Sequence, residues 1–376
     1  MDEWVAKCSQ EIARRAPREL EALVAVSSPS GDGHGADECI SVCAALTPDD
    51  AGFERVPCSS PDHADDLIVH LRGTGSGRIL LLGHVDTVIA HEAHRTLERN
   101  GDKLIGSGSV DMKGGVVLSL GVMRALAQRS QDYAEVALLL VCDEEWRTAP
   151  FGHTERFAGW DACLCFEGGA RTPDGIEGVV VRRKAAGTLR IAARGRAAHS
   201  GSAPDRGRNA LLALAAAAQA VAGCHDPHGE DHLTAVPTVI HAGDAFNVVP
   251  GAGELISDMR ADTAHAFERV RAAVPDEVGG ATLHPDMMRV WPGMDSTTHV
   301  GPLLERASTA LGQTIAPMHR GGASDASHFA AAIPVTVDGL GPRGGAAHNP
   351  DEYIAEESLA PRAAVALAVA QAALSP

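Results

Sequence analysis

Apolar residues at Trp4, Ile12, Leu20, Leu23 and Val24 recur at helical spacing, which predicts a helix over residues 3–26 that stops at the breaker cluster Ser27-Ser28-Pro29-Ser30-Gly31. A second helix is predicted from Ala36 to Leu46, and strands at Phe53 to Val56, Asp66 to Leu71 and Arg78 to Leu82. After the turn at Asn100-Gly101, a glycine-rich stretch from Lys103 to Gly115 leads into a strongly apolar helix ending near Ala127. Ala134 to Cys142 is a continuous apolar run, the mark of a strand buried on both faces, and Ala162 to Phe166 is another. Strands alternating with helices read as an open α/β sheet, whose sites gather at the carboxyl ends of the strands.

The pattern changes near Val179. Up to about Val290 it predicts strands at Thr188 to Ala193, Pro237 to Ala242, Gly253 to Ala261 and Ala281 to Arg289, with helices at Gly207 to Ala222 and Thr263 to Val274. No strand there ends in an acid cluster, so residues 180–290 are expected to form a separate α+β module inserted into a domain built from residues 1–179 and 291–376. The α/β pattern resumes with helix Pro302 to Leu311, a loop through Gly321-Gly322, helix Ser324 to Ala332, strand Val335 to Gly339, and a closing helix from Ser358 to Leu374.

A length of 376 residues exceeds one ordinary core, in keeping with two domains. Hydrophobic residues make up 45% but aromatics only 3%, so the interior must be built from Ala, Val, Leu and Ile. The net charge of −17 argues against nucleic acid or an anionic membrane as a partner. The acidic start Met1-Asp2-Glu3-Trp4 does not read as a secretory signal, and the eight cysteines show no paired metal-binding spacing; a reduced, cytoplasmic protein is expected.

Chemistry enters at the strand ends. The strand through Leu82 runs into His84 and Asp86, two residues apart and therefore on one face. An imidazole can bind a metal through one nitrogen while a carboxylate holds the other, although such a pair can also simply close a strand. The glycine-rich stretch could cradle phosphate, but it lacks the Gly-Lys-Ser/Thr ending because Lys113 precedes Gly114; its other reading is that it delivers Asp111 to a metal. Asp143-Glu144-Glu145 follows the run ending at Cys142, Glu167 follows Phe166, and His348 stands alone near the end.

Histidine nitrogens with carboxylate oxygens suit zinc. With two zinc ions, four positive charges are offset by Asp111, Glu145, Glu167 and one bridging hydroxide. Ions roughly 3.5–4 Å apart can activate one water between them. Of adjacent Glu144 and Glu145, one can bind metal while the other moves the proton.

These motifs, Gly83-His84-Val85-Asp86-Thr87-Val88, Gly108 to Gly115, Asp143-Glu144-Glu145, Glu167 and His348, resemble the co-catalytic dizinc peptidases and deacylases. That family includes acetylornithine deacetylase, succinyl-diaminopimelate desuccinylase and glutamate carboxypeptidase. The likeness is greatest to the glutamate carboxypeptidase branch, through Ala198 to Pro204, Asn247-Val248-Val249-Pro250 and Asp258-Met259-Arg260. It implies a zinc-peptidase catalytic domain with a mixed central sheet flanked by helices, interrupted by a smaller α+β lid that dimerises. It further implies that Asp111 bridges two zinc ions (cobalt or manganese being alternatives), with His84 and Glu167 completing one site and Glu145 and His348 the other. Glu144 is then the general base and Asp86 orients His84. In a homodimer His199 stabilises the oxyanion, Arg260 and Asn247 hold substrate, and Gly321 and Gly322 supply pocket backbone.

The chain departs from the glutamate-cleaving relatives where they carry a basic residue just before the proline matching Pro292; Trp291 stands there. A leaving amino acid with an apolar or aromatic side chain is therefore expected. The function implied is hydrolysis of an amide bond that frees a C-terminal amino acid from a small N-acyl or peptidyl substrate. Its alternatives are a small-acyl deacylase and, more remotely, a metal-binding dimer without catalysis. Three groups of histidines are set aside: His91 and His94, three apart rather than four; His225, His228 and His232, in a surface loop; and His319 and His328, beside the Gly321-Gly322 loop.

Overall fold

A computed structural model describes residues 1–375, which divide into two compact units. The larger comprises Met1–Arg182, Asp295–His319 and the chain from Ser324 onward; the smaller comprises Arg183–Met294 and Arg320–Ala323.

In the larger unit a six-stranded sheet runs in the order Gly52–Val56, Asp66–Arg72, Tyr133–Val141, Gly77–His84, Ala162–Cys165, Thr336–Val337. The first two pairings are antiparallel and the rest parallel, so the sheet is mixed. Ile79 to Leu82 and Val136 to Val141 are all buried, as expected of central strands covered on both faces. Helices Glu3–Val24, Gly114–Ala127 and Leu359–Leu374 pack on one another, with Asp2 capping the first through the N–H groups of Trp4 and Val5. The helix Gly114–Ala127 is buried almost all round, which explains its lack of a polar face. A second sheet, Gly344–Gly345, Tyr353–Ala355, Lys103–Ile105, Glu98–Asn100, ties the glycine-rich stretch to the segment that follows His348.

The smaller unit is a five-stranded antiparallel sheet in the order Thr234–Ala242, Ala252–Ala261, Ala185–Arg194, Ala281–Trp291, Glu277–Val278. Helices Ala210–Gly223 and Ala266–Ala273 contribute Ala213, Leu214, Ala217, Phe267 and Val270 to a core shared with Leu189, Ile191, Leu255 and Met259 of the sheet. The strand Ala252–Ala261 alternates buried and partly exposed positions from Leu255 on, the pattern of a sheet with one covered face.

The α/β class read from the sequence is the class observed. Several elements differ from expectation, among them short strands such as Glu98–Asn100, Lys103–Ile105 and Tyr353–Ala355 that the sequence reading did not include. The helix expected over Ser324 to Ala332 is one turn, Ala326–Phe329, with no side-chain cap bond; the Ser324 hydroxyl donates to Asp338 Oδ2 (2.6 Å), Asp325 is bound to Arg147, and Pro334 stands just beyond. Strands Glu177–Arg183 and Ala316–Arg320 were not anticipated. The first reads as a plain apolar run broken by arginines, and the second is at least partly exposed throughout and carries a proline. Among the described residues no helix is long and apolar enough to cross a membrane.

Candidate metal centre

Parallel register brings the acidic ends together. His84 lies opposite Val141, and Leu82 opposite Cys165, so Asp143-Glu144-Glu145 and Glu167 leave the sheet at the edge where His84 and Asp86 emerge. Asp111 arrives from the glycine-rich stretch, whose chain must pass close to two strand ends. A Cβ on Gly115 would lie 1.8 Å from the Phe166 carbonyl oxygen; Gly108, at φ +73°, would put one 2.7 Å from Thr87 Cγ2. Only glycine fits at both positions. The Asp111-Met112 peptide is cis. His348 sits at φ +64° in the turn before Tyr353–Ala355, a left-handed conformation that histidine adopts more readily than most residues.

Asp111 turns one oxygen to each imidazole: Oδ1 is 3.2 Å from His84 Nε2 and Oδ2 is 3.1 Å from His348 Nε2. Glu167 Oε1 lies 3.7 Å from His84 Nε2, and Glu145 Oε2 lies 3.3 Å from His348 Nε2. Among the described residues two groups result that could hold an ion, His84-Asp111-Glu167 and Asp111-Glu145-His348, each with its ligand atoms within 4.8 Å of one another. Donors at a typical zinc distance of about 2.1 Å from a tetrahedral ion are about 3.4 Å apart, so the spacings fit. His84 Nδ1 is 3.0 Å from the Asp86 carbonyl oxygen and 3.3 Å from its Oδ1. Donating there, it leaves the Nε2 lone pair facing Asp111 and Glu167.

The electrostatics also ask for a cation. Burial works against a charged His84, yet its bonds to Asp111 and Asp86 and the charge of Glu144 carry its pKa well above the usual value. Bonds to Asp111 and Glu145 push His348 up to about 10. Burial raises Asp111, but His348 and His84 outweigh it and hold its carboxyl well below the usual range. Glu144 and Glu145 are pushed upward, by burial first; neighbouring acids add to this and His84 offsets part of it for both, with the His348 bond also lowering Glu145. A cluster of acids that draws protons onto both histidines is one a metal would hold together in their place.

Other roles in this unit escaped the sequence reading. The Asp86 carboxylate accepts the N–H groups of Glu144 (3.2 Å) and Glu145 (3.0 Å), so Asp86 holds the acidic turn as well as His84. Arg147 bridges Asp143 and Asp325 inside the protein. Lys113 is buried and donates to the Val26 carbonyl at 2.7 Å. Glu352, only 2% exposed, accepts the backbone N–H groups of Gly108, Val110 and Asp111; burial pushes its pKa up to about 7 against the lowering effect of those bonds. In sequence Glu352 is one acid in a polar run, and only the fold reveals its burial.

His199, Asn247, Arg260, Gly321 and Gly322 all belong to the smaller unit. His199 pairs with Val248 across a short ladder, its Nδ1 accepts the N–H groups of Gly201 and Ser202 (3.1 Å each), and Ser200 N–H donates to the Asn247 carbonyl. These bonds place His199 beside Asn247. Arg260 is held by Asp258 at 3.0 Å, and the Gly322 carbonyl accepts from Arg183 at 2.9 Å. Trp291 is buried, with the Arg289 guanidinium 4.6 Å from its ring centroid. His91 bonds to Ser27 Oγ (2.8 Å), and neither it nor His94, His225, His228, His232, His319 or His328 enters a metal-competent group.

Known proteins resemble this chain along most of its length. Carboxypeptidase G2 of Pseudomonas sp. (strain RS-16) is 25% identical over 361 residues, covering 91% of this chain and 85% of that protein. Succinyl-diaminopimelate desuccinylase of Rhodospirillum centenum (strain ATCC 51521 / SW) is 27% identical over 360 residues, covering 84% and 91%. In fold, the chain is similar to the crystal structure of aminopeptidase PepT from Bacillus cereus ATCC 10987, with a TM-score of 0.76 at 20% identity over 96% of this chain and 99% of that one. The resemblance drawn from the motifs is thus borne out at the level of the family. Residues 80–372 match Peptidase family M20/M25/M40, and the chain belongs to that family.

Proposed function

We propose that this protein hydrolyses the amide bond of a small N-acyl or peptidyl substrate to release its C-terminal amino acid, using two metal ions held by His84, Asp111 and Glu167 and by Asp111, Glu145 and His348. Membership of the family makes it a metal-dependent hydrolase. The observation that carries the finer reading is Asp111 with one oxygen toward each histidine, which suits a shared ligand between two ions.

Bound zinc, or cobalt or manganese in its place, supplies the Lewis acidity that polarises the scissile carbonyl and acidifies the attacking water. The chain's own groups do the rest. Glu144 has its backbone fixed by Asp86 and a carboxylate made more basic by burial, so it takes the proton from water and returns it to the leaving amine. Asp86 keeps the Nδ1–H of His84 engaged, which preserves the tautomer that a metal ligand needs. Arg260 and Asn247 hold the substrate's carboxylate or carbonyl, guanidinium being suited to this by its forked donors, with Gly321 and Gly322 as pocket backbone. His199 of the partner subunit stabilises the oxyanion.

The homodimer this requires is supported by apolar side chains left open on the smaller unit. They are Val236, Val239 and Ile240 on the edge strand Thr234–Ala242, and Leu211 and Leu212 on the helix Ala210–Gly223. An edge strand with exposed apolar residues is a ready surface for a second copy.

The likeness to a desuccinylase favours a second reading, removal of a small acyl group, in which the acyl side of the amide rejects bulk. The test is a panel of N-acyl amino acids and dipeptides, assayed with chelator-treated protein before and after zinc, cobalt or manganese is restored. Release of a C-terminal amino acid from bulky acyl donors, only with metal, is the expected result. Cleavage restricted to acetyl or succinyl donors favours the second reading, and no cleavage of any donor by metal-loaded protein rejects both.

A further inference from the structure

We infer that Glu352 is a positioning residue for the metal centre: its buried carboxylate fixes Asp111 against His348. The inference rests on the reading above that Asp111 is shared by two ions. Glu352 Oε1 accepts from Val110 N–H at 2.7 Å and Asp111 N–H at 2.8 Å, and Oε2 accepts from Gly108 N–H at 2.9 Å. Three amides of one tight loop thus converge on one side chain. Only an ionised carboxylate offers acceptor sites on both oxygens and no donor to oppose them.

The other end of Glu352 is equally constrained. Its N–H donates to the Asn349 carbonyl and its carbonyl accepts from Gly106 N–H, both at 2.9 Å, while the next residues pair with Lys103–Ile105. His348 stands four residues upstream in the same turn. One side chain therefore joins the loop carrying the shared ligand to the turn carrying a ligand of only one group. Its loss would leave Asp111 free to shift relative to His348, and groups that orient metal ligands in this way govern metal affinity by about 10- to 100-fold.

The test is a zinc titration of metal-free protein in competition with a chromophoric chelator, read as stoichiometry and dissociation constants, with thermal unfolding of the same metal-free samples. Wild-type protein is expected to take up two zinc ions; fewer than two overturns the shared-ligand reading itself, and this is seen before any variant is made. Glu352→Gln, which turns an amide NH2 donor onto N–H donors, is expected to weaken the weaker zinc site at least tenfold. The reference is Glu177→Gln, a buried carboxylate bonded to Arg171 and Arg362 in the same unit, which is expected to lower the melting temperature and leave both zinc constants in place. Unchanged zinc constants in Glu352→Gln, or equal weakening in both variants, overturn the inference. Should Glu352→Gln not fold, Glu352→Asp, which keeps the charge and shortens its reach, is expected to weaken the same site; wild-type constants there overturn the inference equally.

Discussion

The Asp86 carboxylate receives the backbone N–H of Glu145 at 3.0 Å, which ties the end of one central strand to the acidic turn after its neighbour. Replacing Asp86 with Ala leaves the N–H groups of Glu144 and Glu145 short of their partner, at about 1–3 kcal/mol for each buried group so stranded, while the backbone carbonyl of residue 86 still accepts from His84 Nδ1. Asp86→Ala is therefore expected to be destabilised by a few kcal/mol and to lose at least about 10-fold in zinc affinity. Denaturant unfolding and zinc competition measure the two effects; wild-type zinc affinity in a folded Asp86→Ala protein would contradict the assignment.

Glu144 contributes no atom to either metal-competent group. Its replacement by Ala is expected to lower kcat by about 10²–10⁴-fold, the usual worth of a positioned general base, with metal content unchanged. Turnover within a few-fold of wild type would remove it from the mechanism, and metal loss would make it a ligand.

Zinc binding is expected to raise thermal stability, because ligands that favour the native state add about 2.7 kcal/mol at a free concentration 100 times Kd. Addition of a chelator should lower the melting temperature of wild-type protein. In His348→Ala, which removes one of six coordinating contacts shared by the two groups, the zinc-dependent rise should shrink; a rise equal to wild type would argue that the exposed histidine binds no ion.

The buried His328 imidazole, stacked on Phe151 with ring centroids 4.8 Å apart, is driven down to about 4, by burial first and then by Arg147, with Asp325 opposing. The unfolded chain protonates this group near its ordinary value of 6.5, whereas the native state does so only near 4. Stability from this source is thus intact above 6.5 and is lost as pH falls from 6.5 to 4, by at most about 3 kcal/mol. His328→Phe keeps a stacked ring without titrating. Between pH 7 and pH 4.5 it is expected to lose less stability in urea than wild type does, and equal losses would refute the effect.

Trp291 brings no charge to its position, so a glutamate side chain of the leaving group placed against it would have no cation there to offset its desolvation. Kcat/KM for N-acyl-phenylalanine should exceed that for N-acyl-glutamate. A clear preference for glutamate would show that another cation serves that side chain.

The strands that deliver His84, Glu145 and Glu167 were legible in the sequence, because a strand buried on both faces must be an unbroken apolar run and a polar group at its end marks where it leaves the core. The closing helix Leu359–Leu374 was legible for a similar reason of length and composition. Arginine and proline hid Glu177–Arg183 and Ala316–Arg320, and Ser324 and Asp325, taken up by tertiary partners, give the helix expected from Ser324 no side-chain cap. Sequence alone thus determined which residue types stood at the strand ends and hence the family's chemistry. The tertiary structure decided that Asp111 faces both histidines, that Asp86 holds the acidic turn, and that Glu352 is buried beneath the loop. Periodicity reports only which face of an element meets the core, whereas those relationships join groups up to 244 positions apart, and chain closure over such distances leaves no local pattern.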